Sequence, residues 1–223
     1  MVTRWICLMM LGIGWCGFGL SQHEPLKLYV AQSKQTKLPE LYFCGGPESP
    51  IKLEIFSDFA CPQCRTLYYE MIKPIINEYT NNKKVYVQYH DYPSDRHAYA
   101  RLATRLALAA RFLGLEQWRK LTDIIYSTQD QWTRDGKFDQ LLLRALNAAE
   151  MMSVKKLAFD PKIEAVLLQE LIYGDSRGIT STPTYFMITQ TGRRQRFTQI
   201  IPYFILKEYL DREATLEAFR IGW

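Results

Sequence analysis

Beyond residue 20 the sequence contains no long uncharged apolar run, which excludes a protein that crosses a membrane several times. It also lacks a strong charge of either sign. The 28 basic and 23 acidic residues leave a formal +5 spread thinly along the chain, and that pattern marks no nucleic-acid partner. Five cysteines in 223 residues are too few to staple a disulfide miniprotein, so their positions matter more than their number. Histidine is scarcer still, and no internal repeat or low-complexity segment appears. What remains is an ordinary globular composition, 48% hydrophobic and 23% charged, which excludes disorder and collagen-like repeats. The length suits one domain, or one domain carrying an insertion.

The one long apolar stretch opens the chain. Arg4 precedes an uncharged run from Trp5 to Leu20, and small residues follow at Gly17, Gly19 and Ser21. That order is the one found in a secretory signal peptide, with cleavage after Gly19 or Ser21. Sixteen residues are short for an uncleaved anchor, and Trp15 is too bulky for a lipoprotein signal at Cys16. Export is therefore expected. With Cys7 and Cys16 in the leader, the mature chain keeps Cys44, Cys61 and Cys64.

Residues 22–50 carry Pro25, Pro39, Pro47 and Pro50 around Gly45-Gly46 and read as an arm, with one short strand at 26–30. Ile51–Ser57 is a strand candidate that ends just before Cys61-Pro62-Gln63-Cys64. Leu67, Met71, Ile75 and Tyr79 then recur at helical spacing, and Pro74 predicts a kink. A second strand follows at 84–90. The next 80 residues read as helices at 98–113, 116–127, 138–149, 153–159 and 161–173, with Ser153 and Asp160 as N-caps. Their arginines are expected to form a solvated face. Strands return at 184–188 and 196–200 around Thr191-Gly192. A last helix at 204–219 carries Phe204, Leu206, Leu210, Leu216 and Phe219.

Two cysteines three apart at a helix start are close enough for a disulfide. Unpaired N–H groups of the first turn favour a thiolate on the first sulfur. Cys61 is then the attacking sulfur and Cys64, one turn inside, resolves the mixed disulfide. Pro62 fits the first turn, which does not need its missing N–H. Two other readings stay open: half of a zinc site, completed from Cys44, His23, His90 or His97, and a purely structural bridge.

The stretch IKLEIFSDFACPQC followed by a helix resembles the start of the DsbA-like branch of the thioredoxin superfamily. Residues 178–186, GITSTPTYF, resemble that branch's second signature, and the helical block between the two matches its inserted domain in length and order. The resemblance covers roughly residue 50 to the C-terminus. It implies an α/β thioredoxin fold with an inserted all-helical domain. Residues 1–21 are then a signal peptide, 22–50 an arm, 51–95 and 176–223 the two parts of the thioredoxin domain, and 96–175 the insertion. It further implies a cis Pro183 beside the active-site pair, with the Thr182 backbone available to an extended substrate segment. The branch often carries an acid six residues before its first cysteine to relay the buried thiol's proton. Ile55 stands there, so the neighbouring Glu54 either faces the other side of the strand or marks a bulge. The branch also commonly has glycine near the end of its last strand, where this chain has Ile200-Ile201-Pro202.

The resemblance implies an exported, periplasmic thiol–disulfide oxidoreductase without cofactor or metal, most directly a dithiol oxidase of folding proteins. Its partners would be reduced or unfolded protein substrates and a membrane redox protein that recycles the disulfide. A reductase or isomerase is the alternative direction, and a peptide-binding chaperone with a structural disulfide is the alternative class. Pro62 and Gln63 are the tuning positions. A Gln63 amide donating to the sulfur predicts a Cys61 pKa of roughly 4–6 and a potential above thioredoxin's about −270 mV. Cys44 reads as a spare thiol, and His90 and His97 as packing or surface residues.

Overall fold

The computed structural model describes residues 45–79 and 83–221. The leader, the strand expected at 26–30, and Cys7, Cys16 and Cys44 lie outside the described residues. β1 (Ile51–Ser57) is followed by α1 (Pro62–Leu67), a π-helical turn (Tyr68–Ile72), α2 (Lys73–Tyr79) and β2 (Val85–Asp91). Six helices come next: α3 (Ala100–Leu113), α4 (Leu115–Ser127), α5 (Gln129–Asp135), α6 (Asp139–Ala145), α7 (Ala148–Ala158) and α8 (Pro161–Ser176). β3 (Thr184–Thr189), β4 (Arg194–Phe197) and α9 (Tyr203–Ile221) complete the described chain. The sheet order is β2-β1-β3-β4, with β1 parallel to β2 and β3 antiparallel to both β1 and β4. This is the α/β thioredoxin architecture with a helical insertion between β2 and β3.

Alternation along β1 divides the interior in two. Ile51, Leu53 and Ile55 pack with Val85, Val87, Tyr89, Met71 and Ile75 in the main core, which continues through Trp118, Ile125 and Trp132 of the insertion. On the other face Phe56 and Phe186 lie against Ile179 and Tyr173, so α8 covers that side. Glu54 belongs to this second face. Pairing of β1 with β2 and with β3 runs without a bulge, so the face-flip reading is the right one. Glu54 is nevertheless not solvated, being fully buried. Its carboxylate accepts from the Tyr173 hydroxyl and Arg177 at 2.5 Å each and from Lys52 Nζ at 3.2 Å. Burial pushes its pKa up, and those hydrogen bonds and charges more than offset the push and hold it below the usual carboxylate value.

Several local expectations need correction. The expected kink around Pro74 is a π turn, in which the Lys73 N–H donates to the Tyr68 carbonyl five residues back. Proline at 74 lacks an N–H and would clash with the carbonyl of Glu70 in a regular helix, and the wider turn just before it relieves both problems. Ser153 caps nothing. α7 starts earlier, at an Asn147–Glu150 capping box whose two hydrogen bonds are 2.9 Å each. Asp160 does cap α8, accepting from the Lys162 N–H at 2.9 Å. The separate helix α5 was not foreseen, and β4 begins and ends earlier than 196–200.

The arginine face is only partly solvated. Arg111 is buried within 3.9 Å of Glu170, while Arg101 and Arg105 hold Glu164. On α9 the buried stripe is Leu206, Leu210, Glu213, Ala214 and Glu217, whereas Phe204 and Phe219 are exposed. The two glutamates displace the expected apolar face because they hold the β3–β4 turn. Glu217 accepts from the Thr191 N–H and hydroxyl at 3.1 and 2.7 Å, and Glu213 pairs with Arg193.

Candidate functional site

β1 delivers the chain to residues 58–60, which turn tightly into α1. Cys61 is the N-cap of α1, with extended backbone (φ −80°, ψ 121°), and Pro62 occupies the first turn. The Cys61 carbonyl accepts from the Cys64 and Arg65 N–H groups at 3.1 and 3.2 Å. The insertion holds this turn from the far side: Gln129, buried at the start of α5, donates its side-chain amide to the carbonyls of Phe59 (2.7 Å) and Cys61 (3.0 Å). Cys61 is 8% exposed and Cys64 fully buried, and both are free thiols.

The two sulfurs differ as an exchange reaction requires. Cys61 is lowered to about 6. The main cause is a hydrogen bond from the Cys64 thiol, working against burial and helped by the backbone N–H groups of Cys64 and Gln63. Gln63 thus acts through its backbone while its side chain is exposed, and the result sits at the upper edge of the expected interval. Cys64 is raised well above an ordinary thiol by burial and by the neighbouring Cys61. Its Sγ accepts from the Asp58 N–H at 3.4 Å.

The Thr182–Pro183 peptide is cis, and the Thr182 carbonyl lies 3.4 Å from Cys61 Sγ, accepting from its thiol. The second signature and the first are therefore side by side, although 121 residues separate Cys61 from Thr182. A cleft of about 550 Å³ opens beside Cys61, bordered by Tyr92, Arg96, His97 and Thr182.

Sequence reasoning missed several contributors to this region. Asp58, three residues before Cys61, is fully buried, and its carboxylate accepts from the Ala60 N–H (2.8 Å), the Ser94 N–H (3.0 Å) and His97 Nδ1 (2.6 Å). Ser57 lies 3.0 Å from the Tyr126 hydroxyl, itself 2.7 Å from that of Tyr89, so a buried hydroxyl chain runs beneath Cys64. Asp91, paired with Ser57 across β1 and β2, is fully buried with both carboxylate oxygens unpartnered. Burial pushes it up to about 8, despite the Arg111 charge. His90 is the packing residue expected, buried with its ring stacked on Phe56, and its Nδ1 also lies 2.6 Å from Glu170. An acid close before the cysteines was visible as Asp58. Nothing in the sequence ties His97 or Gln129 to that turn.

Among the described residues no group of three metal-ligating side chains gathers, and no helix is long and apolar enough to cross a membrane. The family model for thioredoxin matches residues 37–198, most of the chain. The chain belongs to the thioredoxin family. Its fold is similar to that of solved DsbA proteins. Wolbachia pipientis α-DsbA1 is 16% identical with a TM-score of 0.68, covering 84% of this chain and 98% of its own. Oxidised BdbD from Bacillus subtilis is 15% identical with a TM-score of 0.61, covering 77% of this chain and 91% of its own. Chlamydia trachomatis DsbA is also 15% identical with a TM-score of 0.61, over 78% and 90%. No curated protein sequence matches this thioredoxin-family chain.

Proposed function

We propose that this protein is an exported dithiol oxidase that passes a Cys61–Cys64 disulfide to reduced, folding proteins. The observation that carries the reading is the asymmetry of the pair: a stabilised Cys61 thiolate at the rim of an open cleft, above a Cys64 that is buried and un-ionised. A thiolate that is stable when reduced is a good leaving group and drives the disulfide toward reduction by substrate. Pro62 and Gln63 set the backbone that holds the sulfur, and Thr182 and Pro183 offer the edge on which an extended substrate segment lies. Residues 1–21 support export to the periplasm or an equivalent compartment, with a membrane redox protein as the electron acceptor. Among the similar structures is a periplasmic thioredoxin-like protein from Salmonella enterica serovar Typhimurium.

The test sets oxidation of a reduced, unfolded protein against reduction of insulin. Fast oxidation with slow insulin reduction is expected. The opposite ranking overturns the direction in favour of a reductase, and inactivity in both assays with retained peptide binding favours a chaperone.

A further inference from the structure

An incoming substrate thiol is the poorer nucleophile in this reaction. An ordinary cysteine, with a pKa of about 8.5, is ionised in about one molecule in a hundred at pH 6.5. Nothing on Cys61 or Cys64 can remedy that, because in the oxidised protein both sulfurs are bonded to each other. A base would have to stand in the cleft where the substrate sulfur arrives.

His97 stands there. It borders the same cleft as Cys61, and its side chain is 37% exposed. Its Nδ1 is 2.6 Å from Oδ2 of the fully buried Asp58. A carboxylate only accepts, so Nδ1 carries the hydrogen, and in the neutral ring Nε2 is left with a free lone pair. Asp58 is itself fixed, since each oxygen also accepts from a backbone N–H, of Ala60 and of Ser94. The ring is thereby held in one tautomer, with Nε2 turned away from Asp58 on a half-exposed side chain that borders the cleft. An imidazole oriented by a carboxylate is the arrangement that activates weak nucleophiles elsewhere. The other charged groups bordering this cleft are Asp95 and Arg96 of the same loop, Arg101 of α3 and Asp175 of α8. Arg101 is paired with Glu164, and Asp175 accepts from the Tyr92 hydroxyl at 2.5 Å.

We propose that His97 is a general base for the substrate thiol, with Asp58 as its positioning residue. The substrate S–H proton passes to His97 Nε2 as the sulfur's electron pair forms a bond to Cys61 Sγ. The Cys61–Cys64 bond breaks, and its pair leaves on Cys64, which takes a proton from water because its buried thiol form is favoured. The imidazolium returns its proton to solvent. The protein's own disulfide is the only oxidant required. In the reverse direction the imidazolium protonates the departing substrate thiolate, so the step holds for an oxidase or a reductase. It rests on Cys61 being the sulfur attacked.

The experiment is a single-turnover measurement on the oxidised protein, acid-quenched and followed by mass, between pH 5.5 and 9. The probes are a short unstructured peptide with one cysteine and the same peptide with selenocysteine, whose selenol is already ionised across that range's middle. His97→Asn keeps an amide nitrogen where Nδ1 donates to Asp58 and removes Nε2. His97→Gln serves as the second variant. At pH 6.5 the variants should lose at least tenfold in rate with the cysteine peptide, converge on the wild type near pH 9, and match it throughout with the selenol. Equal losses with both peptides would make His97 a structural residue, and no loss with either would remove it from the chemistry; both outcomes overturn the proposal. An acid-quenched peptide adduct that maps to Cys64 and not to Cys61 would instead overturn the assignment of the attacked sulfur.

Discussion

Lowering Cys61 has a direct electrochemical consequence. Reduction of the Cys61–Cys64 disulfide takes up two electrons, and below the pKa of Cys61 it takes up two protons as well. Above that pKa it takes up one, because Cys61 stays as thiolate while Cys64 remains protonated. The potential of the couple should therefore fall by about 59 mV per pH unit below pH 6 and by about 30 mV per unit above it. At pH 7 a thiol of pKa about 6 gains about 1.4 kcal/mol from ionisation, whereas an ordinary one gains almost nothing, and this places the couple about 30 mV more oxidising than unperturbed thiols would. Equilibration with glutathione buffers of known potential from pH 5 to 8, with quantitative alkylation, gives the curve. Thiolate absorbance of the reduced protein should titrate at the same break. A single slope of about 59 mV across the whole interval would refute the reasoning, since Cys61 would then be an ordinary thiol.

Cys64→Ser should accumulate mixed disulfides with substrate through Cys61, while Cys61→Ser should form none; equal trapping by both, read on non-reducing gels, would reverse the roles. Asp91→Asn should flatten the pH dependence of stability. An acid raised to about 8 binds a proton in the folded state that the unfolded chain loses near pH 4, so its contribution to stability falls by about 1.4 kcal/mol per unit through that window. Relative to wild type the variant should gain about 2–3 kcal/mol between pH 5 and 7 in urea unfolding of the reduced protein, and parallel curves would contradict this. Glu54→Gln should cost about 2–3 kcal/mol at pH 7, because Arg177 and Tyr173 lose a charged acceptor. Glu54 is held below its ordinary pKa, so that penalty should shrink as the pH falls through the folded-state value and wild-type Glu54 itself becomes neutral.

The parts of the fold that rest on backbone periodicity were legible. β1, β2 and the helix between them follow from apolar spacing, and the paired signatures locate Cys61 beside Thr182 across the whole insertion. What escaped are interactions between elements. Gln129 and His97 act on residues 39–70 positions away, and neither carries a local signal. The glutamates on α9 are buried because a turn needs acceptors, a requirement invisible in the helix's own pattern. Glu54 shows the middle case: alternation assigns its face correctly, but whether that face is wet depends on α8, whose Tyr173 and Arg177 close over it.

The π turn at Tyr68–Ile72 has the character of a one-residue insertion. Cys64, Tyr68, Met71, Ile75 and Tyr79 are all buried, four recurrences in fifteen residues. At about 100° per residue an uninterrupted α-helix would carry Tyr79 about 60° past the line through Cys64. The wider turn takes up that excess and returns the second half of the helix to the sheet. A homologue one residue shorter between Tyr68 and Ile72 could therefore run as an unbroken α-helix and keep both the buried Cys64 and the packing of α2. Length differences among relatives should fall at this point in the helix, where a gap changes the winding and leaves the sulfurs where they are.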